Sequence, residues 1–193
     1  MISTRTRWLL ATATLFSGLL AGGILDRALV GAPAWQALGP ETWALFSRNA
    51  DLGRGLVAYP VEAIGAALLI IAATVSFHRD RAARRDVLTP LYLAVAFALT
   101  GLLLTMKAAP IMLSLGTDPQ VSPAVAFARF NFWGIQLRGA ADLLAFGFEI
   151  WSLVALSRSA GARYSRSGQS SLVPFTPYIE APTVRAAAAS HFR

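Results

Sequence analysis

Four ionisable side chains stand inside long apolar stretches of this chain: Glu62, Arg138, Asp142 and Glu149. A carboxylate can take a proton from a reacting group, and a guanidinium beside it can hold the anion that results. Each charge is costly inside a bilayer and needs a partner or water, so a membrane-embedded ionisable group marks a candidate site. A helix advances 100° per residue. Measured from Arg138, Asp142 then lies about 40° around the helix and Glu149 about 20°, and Asn131, counted back along the chain, also about 20°. The opposite face carries Leu144, Phe148 and Trp151. A narrow polar seam on an apolar helix points into a bundle, whereas a surface-lying amphipathic helix shows a broader basic face. At 1.5 Å per residue Arg138 lies roughly 9 Å below the start of its apolar run and Asp142 roughly 15 Å. Glu62 lies roughly 9 Å below the start of its own run, with Tyr59 one turn away. Glu62, Arg138 and Asp142 are thus expected to meet in one half of a bundle, with Glu149 apart. Arg before Asp is the weaker i,i+4 order, so Arg138 is also expected to reach Glu62. Two meanings stay open. One is a polar pocket with an acid–base pair; the other is a neutral salt bridge that fixes helix packing.

The elements that must position these groups follow from composition. The 193 residues are 55% hydrophobic and 14% charged, against roughly 45–50% and 25% for soluble domains. Mean hydropathy is +0.54. These values exclude a disordered chain and speak for one that uses lipid as its solvent. A span needs about 20 mostly apolar residues. Four runs qualify: 8–25, 56–77, 87–106 and 132–156. The predicted fold is all-α, an integral membrane four-helix bundle over 1–156. The first run is expected to be an uncleaved helix, because Asp26-Arg27 closes it where a signal peptide would show a small-residue cleavage site. Pro60 falls near the start of the second run, where a missing N–H costs little.

Lys+Arg number 17 against 10 Asp+Glu, a formal charge of +7. The bases form short clusters between apolar runs, without a stripe of interleaved aromatics, so nucleic acid is not the expected partner. Arg5, Arg7, Arg79, Arg81, Arg84, Arg85, Arg158, Arg163, Arg166, Arg185 and Arg193 fall on one side of a four-span topology. Arg27, Arg48, Arg54, Lys107 and Arg129 fall on the other. The positive-inside rule then places both termini in the cytoplasm, in a bacterial inner membrane. Between the first two runs, PAWQALGPETWALF predicts a short interfacial helix broken near Gly39-Pro40, with Trp35 and Trp43 at the membrane–water boundary. The loop from Lys107 to Arg129 is expected to hug the surface too. From Ser157 the composition turns to Ser, Arg, Gly and Pro, so 157–193 reads as a mostly irregular basic tail.

Cysteine is absent and the two histidines, His78 and His191, lie outside the runs. No axial haem ligand, no Glu-x-x-His di-iron set and no imidazole copper site is available within the spans. No metal site and no cofactor is expected.

The stretch LFSGLLAGGILDRALVGAPAWQALGPETWALFSRNADLGRGLVAYPVEAIGAALL, continued in FNFWGIQLRGAADLL, resembles the small four-span membrane family named for anthrone oxygenases. The likeness covers the Gly-rich first span, the Pro-Ala-Trp loop, Tyr59-Pro60, and the aromatic–polar–Arg start of the last span. It does not extend to the tail. It implies an integral membrane four-helix bundle that oxygenates a small hydrophobic aromatic substrate, an anthrone, to a quinone. Chemistry then assigns Glu62 or Asp142 as base and Arg138 as oxyanion partner, without metal. Tyr59, Asn131 and Glu149 would hold the substrate. Two other classes remain: a non-catalytic subunit that docks membrane-complex partners through its tail and outer loops, and a small transporter or proton relay built on the same charged residues.

Overall fold

The computed structural model describes residues 3–80 and 85–170. Among them the structure is helical, with no strand. The chain rises in α1 (Thr4–Asp26), continues through a π-helical turn (Arg27–Gly31) into α2 (Ala32–Leu38), and reverses at Gly39. Gly39 has φ +96°, a conformation that a side chain disfavours, and it separates α2 from α3 (Pro40–Phe46). A second π-helical turn (Ser47–Asp51) leads to α4 (Gly55–Arg79), which descends beside α1. α5 (Arg85–Thr117) rises again, α6 (Pro123–Phe130) crosses the top, and a third π-helical segment (Asn131–Leu137) feeds α7 (Arg138–Ser170). The end bearing Arg27 and Asp51 is called the upper end. The end bearing Ser3 and Asp80 is the lower.

Four helical stretches are long and apolar enough to cross a membrane: Thr4–Leu38, Gly55–Arg79, Arg85–Thr117 and Pro123–Arg158. This is the all-α four-helix architecture expected, with every span longer than hydropathy alone marked. Two short helices flank Gly39, where the break was expected. The second loop contains only a brief non-helical link around Pro119, because α5 runs through Pro110 to Thr117 and α6 packs against α3 and α5. Trp35 and Trp43, expected to face the membrane–water boundary, pack inside the protein. Both are buried, Trp43 completely. Its indole lies 5.4 Å from the Phe127 ring and 5.5 Å from Phe130, so the aromatic faces of α3 and α6 cover each other. Residues from Ser157 were expected to be irregular, but α7 continues to Ser170, since no proline interrupts its propagation before Pro174. Residues 171–193 lie outside the described residues. The compact bundle ends at Ser159.

Two separate cores hold the bundle. The upper one gathers Trp35, Trp43, Leu115, Phe127, Phe130 and Ile135. The lower one gathers Leu10, Ala13, Ile70, Phe77, Val87 and Leu91. Below the lower core, Asp80 ties the start of α1 to the end of α4. Its Oδ2 accepts from the Ser3 N–H at 3.0 Å and the Thr6 hydroxyl at 2.9 Å. The buried charges lie between the two cores.

Candidate functional site

A cavity of about 440 Å3 separates the cores, at the level where α1, α4 and α5 meet the start of α7. Its walls are mostly apolar: Leu20, Ile24, Leu102, Met112 and Phe130 among others. Its polar lining is Arg27, Asp51, Tyr59, Glu62, Thr105 and Arg138. Leu56, Ile64 and Met106 also line it and are exposed on the outer faces of α4 and α5. The cavity therefore opens sideways between those two helices. That volume and mixed lining are those of a small-molecule site.

Each of the three π-helical segments delivers a residue to this cavity. Arg27 opens the first, Asp51 closes the second, and Arg138 follows the third. An i→i+5 turn shifts the helix face relative to the α-helical register, and such turns gather at functional sites. Arg27 Nη2 donates to Asp51 Oδ1 at 2.5 Å and to the Tyr59 hydroxyl at 2.6 Å. The Tyr59 hydroxyl donates to the same Oδ1 at 3.2 Å, and Ser47 Oγ donates to Oδ2 at 3.0 Å. The guanidinium also lies 4.7 Å from the centre of the Tyr59 ring. Asp51 is buried and both its oxygens are satisfied, so this cluster is a closed polar roof.

The floor is less complete. Arg138 Nε lies 3.4 Å from Asp142 Oδ2, an ion pair without hydrogen-bond geometry, and Oδ2 has no hydrogen-bond partner. Gly101 on α5 makes room for this carboxylate, since a Cβ there would fall on Asp142 Oδ1. Glu62 faces the same cavity as Arg138 and is near enough to Asp142 for their charges to interact. Among the described residues, however, it makes no hydrogen bond and no ion pair. The expected Arg138–Glu62 bridge is thus absent, because the guanidinium turns along its own helix toward Asp142. Arg27 and Arg138 each have a carboxylate, and Glu62 is left as surplus negative charge in an apolar chamber.

Glu62, Arg138 and Tyr59 line one cavity, with Asp142 adjoining. Asn131 does not line it: the π-helical segment between Asn131 and Arg138 breaks the 100° register that would have put them on one seam. Glu149 lies two turns below Asp142, fully buried, and accepts from Ser17 Oγ at 2.8 Å. Arg27, Ser47 and Asp51 went unrecognised in the sequence because they belong to what reads as an outer loop. The available signal was an Arg and an Asp at the two ends of that loop, which also carries Glu41 and Arg48. Among the described residues no three His, Cys, Asp or Glu side chains gather as a metal-binding group. Comparison with protein-family models, with characterised proteins and with solved structures gives no match.

Proposed function

We propose that this chain is a membrane protein that binds a small hydrophobic aromatic substrate in the cavity and removes a proton from it with Glu62. The observation that carries this reading is the unpartnered Glu62 carboxylate facing a largely apolar chamber beside Arg138. A base needs a free lone pair and no cation holding its charge, and Glu62 meets both conditions, whereas Asp142 is ion-paired with Arg138. Arg138 sits where a guanidinium would hold an oxyanion, and Tyr59 offers a ring and a hydroxyl at the roof. A sideways opening between α4 and α5 suits a substrate dissolved in lipid.

The resemblance to anthrone oxygenases supplies a concrete reaction. The acidic C–H of an anthrone breaks, its proton goes to Glu62, and the electron pair delocalises as a phenolate-like anion facing Arg138. Dioxygen adds at that carbon and takes back the transferred proton as a hydroperoxide; its O–O bond and the remaining C–H bond then break, one water leaves with both hydrogens, and a second carbonyl remains. Anthrone and dioxygen thus give anthraquinone and water. In this reading the upper end faces away from the cytoplasm, both termini are cytoplasmic, and the membrane is a bacterial inner membrane.

The test is oxygen uptake by proteoliposomes supplied with an anthrone in metal-free buffer. Glu62→Gln should lower the rate about 10²–10⁴-fold, the usual worth of a general base. Its stability should stay within about 0.5 kcal/mol, since no partner is lost. A folded Glu62→Gln protein with full activity discards the mechanism. Wild-type protein inert toward several anthrones and always purified with a fixed partner would favour the subunit reading. Because the chain lacks cysteine, orientation is read from single cysteines at Gln120 and His78. Labelling of both from the same side of intact cells refutes the topology.

A further inference from the structure

Glu149 has no part in the proton abstraction proposed above, yet it is completely buried and its Oε2 has no hydrogen-bond partner. A second small cavity lies directly above it. This one measures about 10 Å3, at the threshold for one water molecule, and its walls are alanines and leucines together with Ser17, Gly101, Thr105, Arg138 and Asp142. Two facts make it polar enough to be wet. Asp142 Oδ2 is buried without a hydrogen bond. The Thr105 hydroxyl donates to the Gly101 carbonyl at 2.9 Å, which leaves its lone pairs free. Thr105 and Arg138 also line the large cavity, so the two spaces adjoin.

We propose that one water in this small cavity joins Asp142 to Ser17, and that Asp142, the water, Ser17 and Glu149 form a proton relay ending at Glu149. Seven residues separate the two carboxyl groups on α7, about 10.5 Å along the axis and nearly in line. Three hydrogen bonds of about 2.8 Å span most of that distance. Ser17 Oγ already donates to Glu149 Oε1. A proton taken up by the Asp142 carboxylate from water in the adjoining upper cavity passes to the buried water, a water proton passes to Ser17, and the Ser17 proton passes to Glu149. One O–H bond breaks and one forms at each link, no heavy atom is displaced, and Asp142 is left as carboxylate and Glu149 as acid.

The relay stops there. The Thr14 hydroxyl is also close enough to Glu149 to hydrogen-bond its carboxyl, but it, Thr74 and Ser152 each commit their proton to a carbonyl on their own helix, of Leu10, Ile70 and Phe148. Beneath them lie the aliphatic and aromatic side chains of the lower core, and among the described residues no hydrogen bond joins these hydroxyls to the Thr6, Ser76 and Asp80 group at the lower end. Glu149 is therefore an internal proton acceptor communicating with the upper cavity, and the bundle is not a proton channel. The charged groups facing this route are Arg138, Asp142 and Glu62, all at its upper end. The relay stands on this geometry and does not depend on the substrate or the oxygenation.

The experiment uses the full-length protein in lipid vesicles transferred to deuterated buffer, with the infrared bands of Glu149 identified by their loss in Glu149→Gln. The Glu149 bands should shift as deuterium enters. Ser17→Ala should slow that shift at least about tenfold, the rate equivalent of one lost hydrogen-bond link. Ser17→Thr, which restores a hydroxyl, should return it to near the original rate. Thr74→Val, a buried hydroxyl outside the relay, should leave it unchanged. Equal rates in the wild type and Ser17→Ala, equal slowing by Thr74→Val, or a Glu149 band insensitive to deuterium each overturns the relay. A proton flux across vesicles that Glu149→Gln abolishes overturns its closed end. None of these readouts involves turnover, so failure of the oxygenase reading leaves the relay standing, and the reverse holds as well.

Discussion

Removal of Asp51 should be among the most damaging single changes to the upper half of the bundle. Its side chain is fully inaccessible, and it accepts from Arg27, Tyr59 and Ser47. Asp51→Ala removes every one of these acceptors and leaves the Arg27 charge uncompensated. Breaking a buried ion pair on one side costs about 3–5 kcal/mol. The Arg27 side chain retains 17% exposure, so some of its charge returns to water and the lower end of that range applies. About 3 kcal/mol corresponds to roughly two decades in the folding equilibrium. Reversible unfolding in mixed micelles, followed by tryptophan fluorescence, measures it, since Trp35 and Trp43 lie in the adjoining core. The decisive form is a double-mutant cycle with Arg27→Met and Asp51→Leu. Each single change should cost more than about 1 kcal/mol. The double change should lie near the wild type or above it, because a buried pair replaced by apolar groups is often neutral or stabilising. A coupling energy below about 0.5 kcal/mol would refute the view that the roof is held as one charged unit.

Other expectations concern close approach and pH. Gly101→Ala puts a methyl on Asp142 Oδ1 and should cost about 1–3 kcal/mol by overpacking. Gly22→Ala meets nothing within 4 Å and should be neutral or stabilising by up to about 1 kcal/mol. The same unfolding titration compares the two, and equal effects would contradict the close helix approach. The Asp80 carboxyl lies below its ordinary value of 3.8, chiefly through the Ser3 backbone N–H, with the Thr6 hydroxyl adding to it. A depressed carboxylate stabilises the fold fully above its unfolded value and loses that contribution as pH falls through the folded one. Stability should therefore decline below about pH 4, and Asp80→Asn should flatten that part of the profile; an unchanged slope would remove Asp80 as the cause.

Hydropathy exposed the four spans because a bilayer demands long apolar runs, and that signal needs no tertiary knowledge. The break at Gly39-Pro40 was legible for a similar reason, since few residues other than glycine take its φ. The Arg138–Asp142 pair was visible from spacing, and Glu62 from depth. What the sequence concealed was register. The turns at Arg27–Gly31, Ser47–Asp51 and Asn131–Leu137 have compositions compatible with ordinary α-helix. Their i→i+5 bonding shifts the helix face, so that Asn131 lies off the seam while Arg27 and Asp51 line the cavity. Burial of Trp43 was hidden likewise, because indoles that favour a membrane surface are equally suited to stacking on Phe127 and Phe130.

The placement of charge also bears on why the bundle has a polar middle at all. Ion pairs inside a fold seldom improve stability over apolar residues of similar volume. Arg27 with Asp51, and Arg138 with Asp142, are balanced and compatible with a purely structural role. Glu62 and Glu149 are not balanced by any cation among the described residues, and each leaves carboxylate oxygen without a protein partner. A fold selected only for packing would carry leucine or methionine at both positions, as the cores above and below do. Their retention is explained if both sites handle protons, one facing a chamber that a lipid-dissolved molecule can enter and the other closed behind Ser17. The two cores then have a division of labour. The aromatic upper one shields the chamber from water, and the aliphatic lower one keeps the proton that reaches Glu149 from leaking through the bundle.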